Sequence, residues 1–215
     1  MGYGVMGKNR WVSMLVALVG AAILYWLFSF NKLPHTYERY LITNLVGLFF
    51  LPMLLILVFK QEPSGFGFYT GRGYKLAGLL FLGVLPVLIF AATLKDFQAY
   101  YPIQKQAAHS LSYFIYFELS YGLYLFCWEF FFRGFLLFGL TRLIGSWSVL
   151  VQAAAFGIMH IGKPPAEVAA SFAAGVILGI VALRVKSFVP CFVLHWASAF
   201  TFDVLIIMAG RGLLF

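Results

Sequence analysis

Glu129, Arg133, His160 and His195 are ionisable side chains set inside or beside long apolar runs. A charge near the centre of a bilayer costs roughly 3 kcal/mol on insertion scales, so such residues concentrate where they work. Glu129 and Arg133 are four apart, so on a helix they lie about 40° apart on one face and can pair. His160 and His195 fall in separate runs, so each comes from a different helix than Glu129. Two imidazoles and a carboxylate offer either a general base with polarising donors, or three metal ligands with an open position. Spacing alone leaves both open, with zinc as the metal alternative. The plainer alternative is a Glu129–Arg133 salt bridge that only locks helix packing.

The elements that position these residues are membrane helices. Of the 215 residues, 63% are hydrophobic and 10% charged, and the mean hydropathy is +0.93, a composition that excludes an ordinary soluble domain. At about 20 apolar residues per span, the chain has room for one all-α polytopic bundle of about seven (six to eight) transmembrane helices, with 1–215 a single integral membrane domain. The expected spans are 11–30, 40–59, 76–94, 111–140, 147–160, 167–185 and 188–209. The first has too long an apolar core, and too poor a cleavage site, for a signal peptide, so it reads as a retained helix. Residues 111–140 would be about 45 Å long as one helix, longer than the bilayer core, so the segment must tilt, extend past the lipid or break, with Gly122 the weak point. Gly175 and Gly179, among alanines, allow close helix approach.

The connection 61–74 holds Gly65, Gly67, Gly71 and Gly73, but Thr70 takes the third position of G-x-G-x-x-G. With no strand before it, a flexible turn is expected rather than a phosphate loop. Residues 96–110, with Tyr100, Tyr101, Pro102 and Lys105, read as an interfacial segment, and His109 there as solvated. The net charge of +8 is scattered over short connections, which argues against nucleic acid as a partner and for the lipid bilayer.

With the N-terminus inside, Lys8, Arg10, Lys60, Arg72, Lys75, Arg142, Arg184 and Lys186 are inner, and Lys32, Arg39, Lys95, Lys105, Lys163 and Arg211 outer. Eight against six leans to an inside N-terminus, in the cytoplasmic membrane for a bacterial protein. Cys127 and Cys191 lie within apolar spans, where a thiol usually packs as a small hydrophobe and its deprotonation lacks a cationic partner. The chain has no His-Glu-x-x-His, no Gly-x-Ser turn and no pair of intramembrane aspartates, which disfavours zinc-helix, serine and aspartyl protease mechanisms.

Glu129-x-x-x-Arg133-Gly134, then Phe156-x-x-x-His160, then His195 resemble the CPBP family of CAAX prenyl endopeptidases and bacteriocin-processing enzymes, over roughly 111–209. The resemblance implies a CPBP-like catalytic core in that stretch and a glutamate-dependent intramembrane protease needing no cofactor. Its implied partner is a protein or peptide substrate, cut near its C-terminus or in its leader, and either lipidated or bearing a C-terminal sorting tail. Carried over, Glu129 is the second acidic position of the family's Glu-Glu-x-x-x-Arg motif and Arg133 its partner. His160 orients the water with the base, and His195 donates to the oxyanion.

Two positions depart from the family pattern. Trp128 stands where the water-activating glutamate is usual, and Ala199 where an asparagine or aspartate is usual. Candidate substitutes are Glu129 itself as base, Glu118 three helical turns back, Ser198 as a hydroxyl donor, and Asp203 as the group orienting His195. A non-catalytic scaffold or immunity-type peptide binder of the same fold is the competing expectation. A transporter lacks the expected inverted repeat.

Overall fold

The computed structural model describes residues 10–69 and 73–214, so Lys8, Thr70, Gly71 and Arg72 lie outside the described residues. The described residues form helices and short turns, with no strand. They are α1 (Arg10–Phe30), α2 (Tyr37–Val58), α3 (Tyr74–Ala92), the short α4 (Lys95–Tyr100), α5 (Leu111–Glu129), α6 (Leu137–Ile144), α7 (Ser148–Ile158), α8 (Pro165–Val185) and α9 (Val189–Gly210). A π-helical turn, Phe130–Leu136, joins α5 to α6 without a break.

Six helical runs are long and apolar enough to cross a membrane, and one of these, Leu111–Ile158, has 48 residues. Straight, that run would reach about 72 Å, more than two hydrocarbon cores. It does not run straight: Gly145 has φ 57° and ψ −139°, a conformation open to glycine and hostile to side chains. Beyond it α7 folds back until Phe156 lies 5.3 Å, ring to ring, from Phe132. The 48-residue run therefore has two arms, Leu111–Ile144 and Ser148–Ile158. The expected break at Gly122 is absent. Helix α5 continues through it, and Gly122 instead makes room for the Trp196 indole of α9, which an added Cβ would meet at 2.6 Å.

The bundle is apolar outside and selectively polar inside, as lipid requires. Leu18, Leu79 and Phe90 face outward, while Ser13, Asn44, Ser148 and Gln152 are fully buried. The buried groups join helices: Ser13 Oγ donates to the Gly139 carbonyl at 2.7 Å, and Gln152 Nε2 to the Gly175 carbonyl at 2.7 Å. In lipid such bonds and close packing hold helices together where the hydrophobic effect does not. The composition and these helices make the chain an integral membrane protein.

The 61–74 connection is more ordered than a flexible turn. Pro63–Phe66 forms a 3-10 turn, Gly67 ends it at φ 83°, and Phe66 is 1% exposed. The Phe66 carbonyl would lie 2.9 Å from a Cβ at Gly134, so the glycine after Arg133 is what lets this loop close on the π turn. Residues 96–110 are likewise anchored by buried Phe97 and Tyr101, while His109 is exposed as expected.

Helices α7 and α8 meet at Gly175, where an added Cβ would stand 2.9 Å from Ala153 Cα. Backbone cannot give way as a side-chain tip can. Gly175→Ala is expected to cost about 1–3 kcal/mol, as overpacked sites do, seen as a lower thermal unfolding midpoint in detergent. Gly78→Ala, whose methyl meets open space, should leave the midpoint unchanged or slightly raised.

Candidate active site

Glu129 closes α5, and Arg133 lies one turn on in the π segment, with both side chains fully buried. Arg133 Nη1 donates to Glu129 Oε1 at 3.1 Å, and the guanidinium lies 4.0 Å over the Phe156 ring, a second source of stabilisation for a buried cation. His195 of α9 brings Nδ1 to the same Glu129 Oε1 at 2.7 Å. A carboxylate oxygen accepts only, so His195 Nδ1 donates, and in the neutral imidazole the lone pair is on Nε2.

His160 reaches the same condition by another route. Its Nδ1 lies 2.7 Å from the Phe156 carbonyl oxygen, an acceptor only, so Nδ1 holds the proton and Nε2 is again the free base. Phe156 touches both imidazoles, with ring centroids 4.5 Å from His160 and 6.1 Å from His195. Sequence reading gave Phe156 no role. The signal was its place four residues before His160, where a helical carbonyl faces the next turn's side chain.

The turn after His160 is tied down from outside the bundle. Lys163 Nζ donates to Glu167 Oε1 at 2.8 Å, and Tyr101 Oη donates to Glu167 at 2.8 Å. Burial, then the adjacent Glu167 charge, raises the Tyr101 phenol well above its usual range, which keeps it a donor.

Both histidines line two spaces at once. One is a cavity of about 510 Å³ with tyrosines such as Tyr40 and Tyr121 in its wall and Lys32 and Lys163 among its polar groups. The other is an apolar groove of about 520 Å³ between α3, α8 and α9, walled by residues such as Val84, Val87, Ala174 and Leu194. Trp128 lines the first and Ser198 the second. Glu129 and Arg133 line neither.

The remaining sequence candidates separate from this centre. Glu118 and Asp203 are buried neighbours across α5 and α9, and neither lines the two spaces. With α5 unbroken at Gly122, Glu118 stays about 16 Å along the helix from Glu129. Asp203 does not orient His195, because Glu129 already holds its Nδ1. Cys127 and Cys191 are buried and free, with Cys191 Sγ 3.4 Å from the Leu178 carbonyl. Among the described residues no group of three or more His, Cys, Asp or Glu could hold a metal. The zinc alternative built on Glu129, His160 and His195 therefore finds no assembled ligand set.

Residues 110–201 match the family model described as type II CAAX prenyl endopeptidase Rce1-like. Over this segment, less than half of its length, the chain is similar to the Rce1-like family. That family is one of proteases, and its match begins one residue before α5 and ends about three and a half turns into α9, so it takes in every residue of the Glu129–His195 centre. No curated protein and no solved structure matches the chain.

This centre rests on a buried ion pair, whose loss is asymmetric. Arg133→Ala, which leaves the buried Glu129 with His195 as its remaining partner, is expected to cost about 3–5 kcal/mol, measured as a fall in unfolding midpoint and in membrane yield. Replacing both partners together, Glu129→Leu with Arg133→Met, should recover much of that stability.

Proposed function

We infer that the chain is an intramembrane endopeptidase that hydrolyses a peptide bond in a membrane-bound protein or peptide substrate. The observation that carries this reading is the position of His160 and His195 where a polar cavity meets an apolar groove. Water enters from the polar side, and an extended, lipidated or apolar peptide segment lies in the groove. The family's name points to a prenylated C-terminus as the substrate class, with a leader or a C-terminal sorting tail as the other forms.

The role division follows from which nitrogens are free. Glu129, fixed by Arg133, holds His195 Nδ1–H and so presents Nε2 as the general base, as the buried carboxylate of a catalytic triad does for its imidazole. His160 Nε2 is a second acceptor that orients the water. The water oxygen attacks the scissile carbonyl carbon while His195 Nε2 takes its proton. The tetrahedral intermediate then collapses, the carbon–nitrogen bond breaks, and the proton passes from His195 to the leaving nitrogen. The products are a carboxylic acid and an amine, with no cofactor required. Glu129 is thus a positioning residue rather than the group that touches water.

A membrane scaffold that binds such a peptide without cutting it is the second reading. The observation favouring it is Trp128 and Ala199 at the two positions where the family pattern carries chemistry.

A cleavage assay in detergent separates them, with two fluorogenic probes: a peptide ending in a farnesylated Cys-aliphatic-aliphatic-X sequence and a C-terminal sorting-tail peptide. Wild type should cleave at least one. His160→Ala and His195→Ala should abolish turnover with the unfolding midpoint retained, and a chelator should have no effect. Glu129→Gln should lower kcat by up to about 10⁴-fold, the loss seen when a triad carboxylate becomes an amide. Binding of the peptide without turnover supports the scaffold.

A further inference from the structure

We propose that the polar cavity binds the free C-terminal carboxylate of the substrate through Lys32 and Lys163, which makes the chain a trimmer of carboxyl-terminal tails rather than of leaders. This deepens the protease reading above and rests on it. The polar rim of the cavity comes from three connections: Asn31 and Lys32 between α1 and α2, Gln104 between α4 and α5, and Lys163 between α7 and α8. The side-chain acceptors on this rim are spent and donors are left over. Asn31 Oδ1 accepts from Asn44 Nδ2 at 3.2 Å, and Gln104 Oε1 accepts from the Tyr113 hydroxyl at 3.3 Å, so among the described residues both amides keep their NH2 donors uncommitted. Lys163 Nζ donates to Glu167 and to the Tyr101 hydroxyl oxygen, and an ammonium has three protons, so one remains. Lys32 is paired with no carboxylate among the described residues, and its ammonium lies 4.0 Å over the Phe28 ring. Both ammonium groups are open to approach, since Lys32 is exposed and the Lys163 side chain is 22% exposed.

A rim of donors selects an anion. No Asp or Glu among the described residues lines this cavity, and Glu167, which holds Lys163, lines the groove instead. Glu167 offsets the Lys163 charge, so Lys32 supplies the net positive charge that draws a carboxylate in. Lys163, held by two partners, supplies a donor of fixed position that gives up little freedom on binding. The histidines set which way the bound chain runs. His160 and His195 line both spaces, so the scissile bond lies where the spaces meet, with one flank of the substrate in each. The flank in the groove meets apolar walls and suits a lipid chain or apolar residues, whereas the flank in the cavity meets ammonium and amide donors and suits a charged end. Lys163 follows His160 by three residues, a backbone separation of at most about 11 Å, so a tail of only a few residues connects the cut to the carboxylate. A leader is cut far from its chain's carboxyl end and brings no such group into reach. After hydrolysis the fragment in the cavity is the amine product, with the new nitrogen at one end and the carboxylate at the other.

The test changes the terminal charge and little else. The farnesylated peptide is prepared with a free C-terminal carboxylate and as the C-terminal amide, and each is assayed for kcat/KM and, by fluorescence anisotropy, for binding. Wild type should favour the acid by about 10–100-fold, the worth of one charge-assisted hydrogen bond. Lys32→Gln, on an exposed side chain, should lower that ratio through the acid alone and leave kcat/KM for the amide unchanged. Lys163→Gln also loosens the turn after His160, so it is read by the ratio, which should fall toward one. Equal values for acid and amide in the wild type overturn the proposal, as does a ratio that both variants retain. Added phosphatidylglycerol that raises KM for acid and amide alike identifies a lipid phosphate as the occupant and overturns it too. If the wild type cleaves neither form, tighter binding of the acid than of the amide upholds the carboxylate site while rejecting the protease reading, and equal binding rejects both.

Discussion

One oxygen, Glu129 Oε1, ties three helical segments together. It accepts from Arg133 in the π turn and from His195 in α9, and Arg133 in turn covers Phe156 of α7. In a lipid-facing bundle, a carboxylate and a guanidinium cannot be left alone without a penalty of several kcal/mol. The helices must therefore pack so that both are met. The phenylalanines that crowd this segment exclude water from the pair and make it stronger. Packing and electrostatics here enforce the same geometry: α5, α7 and α9 cannot separate without uncovering charge.

That constraint also fixes the imidazoles. His195 is oriented by a side chain from another helix and His160 by a carbonyl of its own helix, yet both end with Nδ1 committed and Nε2 free. The π turn carries Arg133, as such turns often do near functional positions, and Gly134 admits the 61–74 loop against it. The loop in turn is fastened to the start of α9, since Ser187 Oγ bonds the Tyr69 carbonyl.

Much of this was legible in the sequence because lipid makes polar residues conspicuous. The helical class, the span positions and the meeting of Glu129, Arg133 and His195 follow from which ionisable groups interrupt apolar runs. The turn at Gly145 falls in the expected connection between 111–140 and 147–160, while Gly122 shows the limit of such reading: only packing against Trp196 reveals why it stays helical. The roles of Glu118 and Asp203 were illegible for a related reason. Helical angles placed Glu118 on the Glu129 face and Asp203 on the His195 helix, but the two carboxyls found each other instead. Phe156 stood in the motif without a role, because a carbonyl acceptor has no side-chain signature.

Helix α7 has 11 residues, about 16 Å of rise, or half a hydrocarbon core. The chain then runs through non-helical backbone at 159–164 before α8 begins. Irregular backbone at membrane depth survives only where protein or a solvated space satisfies its amides and carbonyls, and His160, Ile161, Gly162 and Lys163 all line the polar cavity. The cavity is thus a condition of folding for this turn. A descendant that lost both histidines would still have to keep the hollow open.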